Sequence, residues 1–268
     1  MEEPLQPMEP VLWLSAFDDP AWQFELKWDG VRCLTYADGD AVRLYGRRGS
    51  RWSDRFPELQ AALQGSDKVL DGELVVLQDG QPSFPAMMRR LHKDKGPVHF
   101  MAFDCLASGG RDLRREPLAV RREVLLSLRE TPIVHRVDAV PGAGRSLFKL
   151  AQASGLEGIV AKRYDAGYVG GKSGFWRKVK CWRHLRCLVL GIDEAKGEIR
   201  SVRLGLQLGG TVVPVGSVGN LAAGEQEALR QALAYGPAEV DVSYLYWTED
   251  GNLRHPRWQG IIRGGAGH

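Results

Sequence analysis

Between residues 22 and 46 the apolar positions come in short runs broken by polar turns: "WQFELKW", "VRCLTYA" and "AVRLYG", separated by "DG" and "DGD". β-Branched and aromatic residues crowd these runs, so they predict successive strands. Asp29-Gly30 is the dipeptide that favours a tight hairpin loop between antiparallel neighbours. The period then lengthens: Phe56, Leu59 and Leu63 recur at helical spacing in "DRFPELQAALQ", with Asp54 placed to cap the helix. "KVLDGELVVL" and "VHFMAFDCL" are apolar enough to be buried strands, and "SFPAMMRRLHK" between them reads as a short helix. "EPLAVRREVLLSL" predicts a helix with Pro117 in its first turn, and "GRSLFKLAQASG" another closed by Gly155. "GIVAKR" and "FWRKVK" are two further strands.

After residue 184 the texture changes. "CLVLGIDEA", "IRSVRLGLQL", "TVVPVGSV" and "EVDVSYLYW" are short strands at regular spacing, interrupted by one helix, "AGEQEALRQALA". About five strands with a single helix predict a small closed or partly closed barrel, of which the OB-fold is the common nucleic-acid-binding form. The expected class is therefore α+β: antiparallel sheets with flanking helices over residues 1–184, then a β-barrel over 185–268.

Composition narrows the picture only a little. At 268 residues, 44% hydrophobic and 26% charged, the chain has the make-up of a globular protein with room for two cores. A formal charge of +3 claims no polyanionic partner, but the basic residues cluster: Arg47, Arg48, Arg51 and Arg55; Arg89, Arg90, His92, Lys93 and Lys95; Arg177, Lys178, Lys180, Arg183, His184 and Arg186. Any one cluster is ordinarily a solvated face, and three together lean toward a polyanion. Cys33, Cys105, Cys181 and Cys187 form no C-x-x-C pair, which argues against a zinc site or a disulfide framework and suits a reducing cytoplasm. "MEEPLQPMEP" lacks the apolar core of a signal peptide, and no run approaches a membrane span.

Lys27 opens the chemical question. A lysine beside an Asp-Gly turn is ordinarily a solvated edge residue, and K-x-D-G alone says little. Its companions are "GRRG" at 46–49, "DGEL" at 71–74, "FMAFD" at 100–104, "EGIVAK" at 157–162 and "WRKVK" at 176–180. In this order and at these spacings they resemble the signature of covalent nucleotidyltransferases, the superfamily of ATP-dependent DNA ligases, RNA ligases and capping enzymes. The longer stretches "GRRGSRWSDRFPEL", "FDCLASGGRDLRREPLAVRREVL" and "RHPRWQGII" are similar to bacterial ATP-dependent DNA ligases of end joining and repair.

That resemblance implies an ATP-grasp-like nucleotidyltransferase domain followed by an OB-fold. It implies sealing of 5′-phosphate and 3′-hydroxyl ends through a lysyl-AMP enzyme and a DNA-adenylate, with ATP as AMP donor and Mg2+ or Mn2+ as the metal. The implied partners are nicked or broken double-stranded DNA and a recruiting repair protein such as an end-binding factor. A monomer in the bacterial cytoplasm, at the nucleoid and away from membranes, is expected. Only 26 residues precede Lys27. An upstream helical DNA-binding domain, and the nicotinamide segment and zinc cysteines of NAD-dependent ligases, are therefore not expected.

By position, Lys27 is the implied nucleophile. A lysine attacks phosphorus only when deprotonated, against a reference pKa of ~10.4, so a metal or the nearby Lys178 and Lys180 are expected to lower its pKa. Lys178 and Lys180, alternate residues of a strand, share a face and can neutralise α-phosphate charge. Glu73 and Glu157 are the oxygen ligands magnesium prefers, although Glu157 alone reads as a surface acid before a glycine. Arg32 and Arg47 are implied to contact nucleotide sugar and phosphate, and Phe103 to stack on adenine, where core packing is the ordinary explanation. The main chain at Glu25 and Leu26 is implied to read the base edge, with Asp29, Asp104 and Lys162 as supporting groups.

One stretch departs from the family. Its C-terminal motif ends basic-x-acidic-lysine, whereas "GIIRGGAGH" offers only Arg263, so slow self-adenylation is expected. An RNA ligase shares the same motifs, a capping enzyme would use GTP, and a ligase-shaped scaffold that holds breaks without sealing them has no need of the lysine and paired acids.

Overall fold

The computed structural model describes residues 4–93, 96–248 and 250–262. The chain divides into two compact units, Met1–Cys181 and Trp182–His268. Two large sheets, with a two-stranded ribbon of Leu77–Gln78 and Gln81–Pro82, build the first. One runs in the order Met8–Leu12, Gly171–Lys180, Gly158–Arg163, Asp18–Leu26, Ala139–Ala143. The other runs Val134–Arg136, His99–Ser108, Lys68–Val75, Val31–Asp38, Ala41–Gly46, with Arg111–Asp112 paired to His99–Ser108. Pairing is antiparallel apart from two parallel edges, Met8–Leu12 with Gly171–Lys180 and Val134–Arg136 with His99–Ser108.

Asp29-Gly30 makes no hairpin. The strands it joins, Asp18–Leu26 and Val31–Asp38, belong to different sheets, so the chain crosses from one to the other just past Lys27. Packing decides the matter. A Cβ on Gly30 would stand 2.1 Å from the Leu74 carbonyl oxygen, so the crossing lies flat against the second sheet and glycine alone fits. Lys27 is thus delivered to the seam between the sheets.

Helices cover the outer faces. Helix Gly144–Ala153 lays Leu147 and Ala151 on Trp22, Phe24, Ile159 and Val179 of the first sheet. Helices Pro57–Leu63, Phe84–His92 and Leu118–Leu126 bury Leu59, Met87 and Leu125 in a core with Leu44, Leu70 and Phe100 of the second. Asp54 caps nothing: it sits inside a 3-10 turn, Ser53–Arg55, and the helix starts afterwards at Pro57. Pro117 takes the cap position and not the first turn. Ser83 accepts from the Ala86 N–H, and Gly155, at φ +70°, follows the last helix of this unit.

The second unit is a five-stranded antiparallel sheet ordered Thr211–Val218, Glu198–Leu208, Arg183–Ala195, Glu239–Tyr244, Arg257–Ile262. Helix Ala223–Tyr235 follows the third strand in the chain and drops Leu229 among Cys187, Val202, Leu204, Val215 and Val240. Among the described residues no pairing joins the two outer strands. No described helix is long and apolar enough to cross a membrane.

Candidate active site

The site grows from the register of three strands. Gly158–Arg163 lies between Asp18–Leu26 and Gly171–Lys180, antiparallel to both, so its first residue meets the far ends of its neighbours. Gly158 faces Lys180 across one ladder, and its carbonyl accepts the Lys27 N–H at 2.9 Å across the other. Gly158, at φ +149°, has no room for a Cβ, which would lie 2.1 Å from the Val179 oxygen. Glu157, one residue earlier, therefore emerges between two lysines. Lys27 Nζ donates to its Oε2 at 2.6 Å, and Lys180 Nζ lies 3.0 Å from its Oε1.

Each charge here is set by its neighbours. Burial works to lower the Lys27 pKa, but the fields of Glu157 and Glu73, the hydrogen bond to Glu157 and the field of Asp29 outweigh it, and the pKa is raised. This reverses the expectation that Lys178 and Lys180 activate Lys27: the resting nucleophile candidate is an ammonium. Burial likewise works to raise Glu157, yet the two lysines hold its pKa below the ordinary value. Glu73 is pushed up to about 7 by burial, against the attraction of Lys27 and Arg32. Among the described residues its carboxylate makes no hydrogen bond. Lys178, likewise without an ion pair there, has its pKa lowered by burial and by Lys27 and Lys180.

Beside this bridge opens a cavity. Glu25, Leu26, Lys27, Arg32, Glu73, Phe103 and Lys162, all singled out in the sequence, line it together with Pro10, Trp28, Val160 and Trp176, which were not. Phe103 meets Trp176 edge to face at 5.9 Å, with Lys162 Nζ 4.4 Å from both ring centroids and Arg32 Cζ 4.5 Å from Phe103. Lys162 is held 2.7 Å from Glu25 Oε2 and donates to the Phe103 carbonyl at 2.9 Å. Burial pushes the Glu25 carboxyl up and the Lys162 amine down, and their ion pair opposes both shifts. The Glu25 side chain thus carries structure as well as its main chain. Gln23 donates to it at 2.7 Å.

Asp71 was overlooked. It stands in the "DGEL" stretch, where an acid within an apolar run was the available signal. It takes Arg32 on both oxygens, at 2.5 and 2.6 Å, and the Tyr168 hydroxyl at 2.6 Å. The residue that fixes Arg32 is thus one strand away in the same sheet.

Other candidates lie apart from the cavity wall. Arg47 is exposed and paired with Glu9 at 2.6 Å. Asp104 is buried and grips the equally buried Arg121 at 2.8 and 2.9 Å, a structural tie between helix Leu118–Leu126 and strand His99–Ser108. Asp29 acts on the site through its field on Lys27. Arg263 lies outside the described residues. Among those residues no group of three or more His, Cys, Asp or Glu could hold a metal ion, so an ion at Glu73 and Glu157 must complete its shell with substrate oxygens and water.

A model of the ATP-dependent DNA ligase domain matches residues 9–180, the whole lysine–glutamate bridge and cavity included. The chain belongs to the ATP-dependent DNA ligase domain family. This ligase-family chain is 37% identical over 232 residues to DNA ligase C1 of Mycolicibacterium smegmatis, covering 77% of the chain and 66% of that protein. It is 33% identical over 274 residues to the multifunctional non-homologous end joining DNA repair protein LigD of Mycobacterium tuberculosis, covering 90% of the chain and 36% of LigD. The chain thus spans just under two thirds of the one relative and about a third of the other. Among solved structures, mycobacterial DNA ligase D complexed with ATP and MES is similar with a TM-score of 0.63 at 31% identity, over 97% of this chain and 96% of that one.

Proposed function

We propose that this protein is an ATP-dependent DNA ligase in which Lys27 carries AMP. The observation that carries the reading is the Glu157 carboxylate shared by Lys27 and Lys180, with Lys27 itself in the wall of a cavity that has aromatic sides. Neutral Lys27 attacks the α-phosphorus of ATP, pyrophosphate leaves, and a lysyl-AMP phosphoramidate forms. AMP then passes to the 5′-phosphate of a break, and the neighbouring 3′-hydroxyl displaces it. Lys178 and Lys180, on one face of their strand, stabilise charge on the transferred phosphate. Phe103 stacks on the base, the Glu25–Leu26 main chain reads its edge, and Arg32, braced by Asp71, meets the sugar and phosphate together with Arg47.

Glu73 and Glu157 suit a divalent cation such as Mg2+ or Mn2+. Among the described residues the Glu73 carboxylate makes no hydrogen bond, and one or two carboxylates plus phosphate oxygens make a usual magnesium site. Bound there, the ion would cancel the negative field that keeps Lys27 protonated. The unit Met1–Cys181 is the adenylating domain. The unit Trp182–His268, which begins three residues before the 185 expected from the sequence, is an OB-type DNA-binding domain, a reading supported by five antiparallel strands with a helix between the third and fourth. The DNA substrate is supported by likeness to ligase C1 and LigD, and a role in break repair by likeness to LigD. A recruiting end-binding protein belongs to the same reading.

Intact mass spectrometry before and after ATP and magnesium tests this. A gain of one AMP with ATP, absent with GTP or NAD and lost in Lys27→Ala, is expected; no gain with any donor, in protein carrying no AMP at the start, overturns it. Competition between nicked DNA and nicked RNA then separates a DNA ligase from an RNA ligase.

A further inference from the structure

The edge strand Met8–Leu12 runs out into three apolar residues that face water: Leu12, Trp13 and Leu14 are 42%, 40% and 96% exposed. Trp13 is anchored. The Trp13 N–H donates to the Lys178 carbonyl at 2.9 Å, and its ring lies 4.0 Å from the Arg177 guanidinium, which also covers Trp22. Paired residues in a sheet project to one side. Trp13 therefore stays with Arg177 on the helix-covered face, while Leu12, paired with Lys178, projects to the side of Lys178 and Lys180.

The result is an apolar lip, Leu12 on the side of Lys178 and the exposed Leu14 two residues further on, beside a lysine that has no ion pair among the described residues. Neither leucine lines the nucleotide cavity, whose nearest wall residue on this segment is Pro10. Once pyrophosphate has left, the lip beside Lys178 suits a second ligand: a group carrying a dense negative charge next to an apolar face. We propose that Leu12 and Leu14 pack against the sugar and base of the nucleotide that bears the 5′-phosphate at a DNA break, with Lys178 on the phosphate. The inference rests on the ligase reading and adds the positioning residues for its DNA substrate. Leucine offers no hydrogen bond to a base edge, so the contact positions the end without reading its sequence.

Leu14→Ser tests it, because a side chain 96% exposed leaves the fold undisturbed when replaced. The KM for a nicked duplex is expected to rise about tenfold, with kcat at saturating DNA little changed, and Leu14→Met is expected to restore it. Charging of Lys27 by ATP, which involves no DNA, is read in the same samples. Unchanged KM in Leu14→Ser with normal charging overturns the lip alone. A charging defect in Leu14→Ser also overturns it, by assigning the leucine to the adenylation step. Failure of the unaltered protein to charge overturns the ligase reading and the lip with it.

Discussion

Glu73 and Glu157 show how far environment separates two chemically identical groups. Glu157 is saturated by two lysines and stays ionised, whereas Glu73 is pushed up to about 7. For Glu73 the folded value lies above the ordinary 4.5, so the native state binds its proton more tightly and loses stability as pH rises from about 4.5 to about 7. Glu73→Gln removes that loss. Its unfolding free energy should exceed the parent's on the order of 2 kcal/mol at pH 8 and match it near pH 4, a figure discounted for partial exposure. Denaturant melts at both values check this, and equal differences at the two would refute it. At this scale the sequence was most legible where motifs name residues that the fold brings together: Lys27, Glu73, Glu157, Lys178 and Lys180. It was least legible where a role depends on a partner far along the chain. Asp71 gains meaning only when Arg32 and Tyr168 arrive, and the sign of the Lys27 shift only when Glu157, 130 residues away, is seen to touch it.

Strands and helices here are held at a few points where substitution is costly. Gly158→Ala would drive a methyl into the Val179 oxygen and break the ladder that aligns Lys27 with Lys180. A loss of at least ~3 kcal/mol in stability is expected, and a fully stable variant would show the register to be otherwise fixed. The Asp104–Arg121 pair makes a second test. Arg121→Met leaves a carboxylate buried without its partner and should cost about 3–5 kcal/mol, while adding Asp104→Leu should recover most of it. Chemical denaturation of the three variants measures both. Alternation and helical spacing gave most element positions, strands Ala41–Gly46, Gly158–Arg163 and Thr211–Val218 to the residue. The short edge strands Met8–Leu12, Val134–Arg136 and Ala139–Ala143 carry too few residues for a period to show. Asp29-Gly30 misled because a turn dipeptide reports local geometry and not which sheet receives the next strand.

For the molecule as a whole, a formal charge of +3 would, under the proposed ligase function, leave grip on DNA to local clusters, so binding should depend strongly on counterion release. Affinity for a nicked duplex is expected to fall at least about tenfold between 50 and 200 mM salt, and a flat titration would argue for an apolar interface instead. Two units were foreseeable from the shift in strand and helix density, and the division falls between Cys181 and Trp182. Strand pairing was not foreseeable, because both sheets of the first unit recruit strands from distant parts of the chain. The carboxylate that Lys27 and Lys180 share also bears on labelling of the intact protein. Acylating reagents consume unprotonated amines. Lys27, ion-paired and with a raised pKa, should be passed over, while Lys178, whose pKa is lowered, should be modified early. A covalent ligand meant for Lys27, the proposed nucleophile, would mark its neighbour unless it first displaced Glu157.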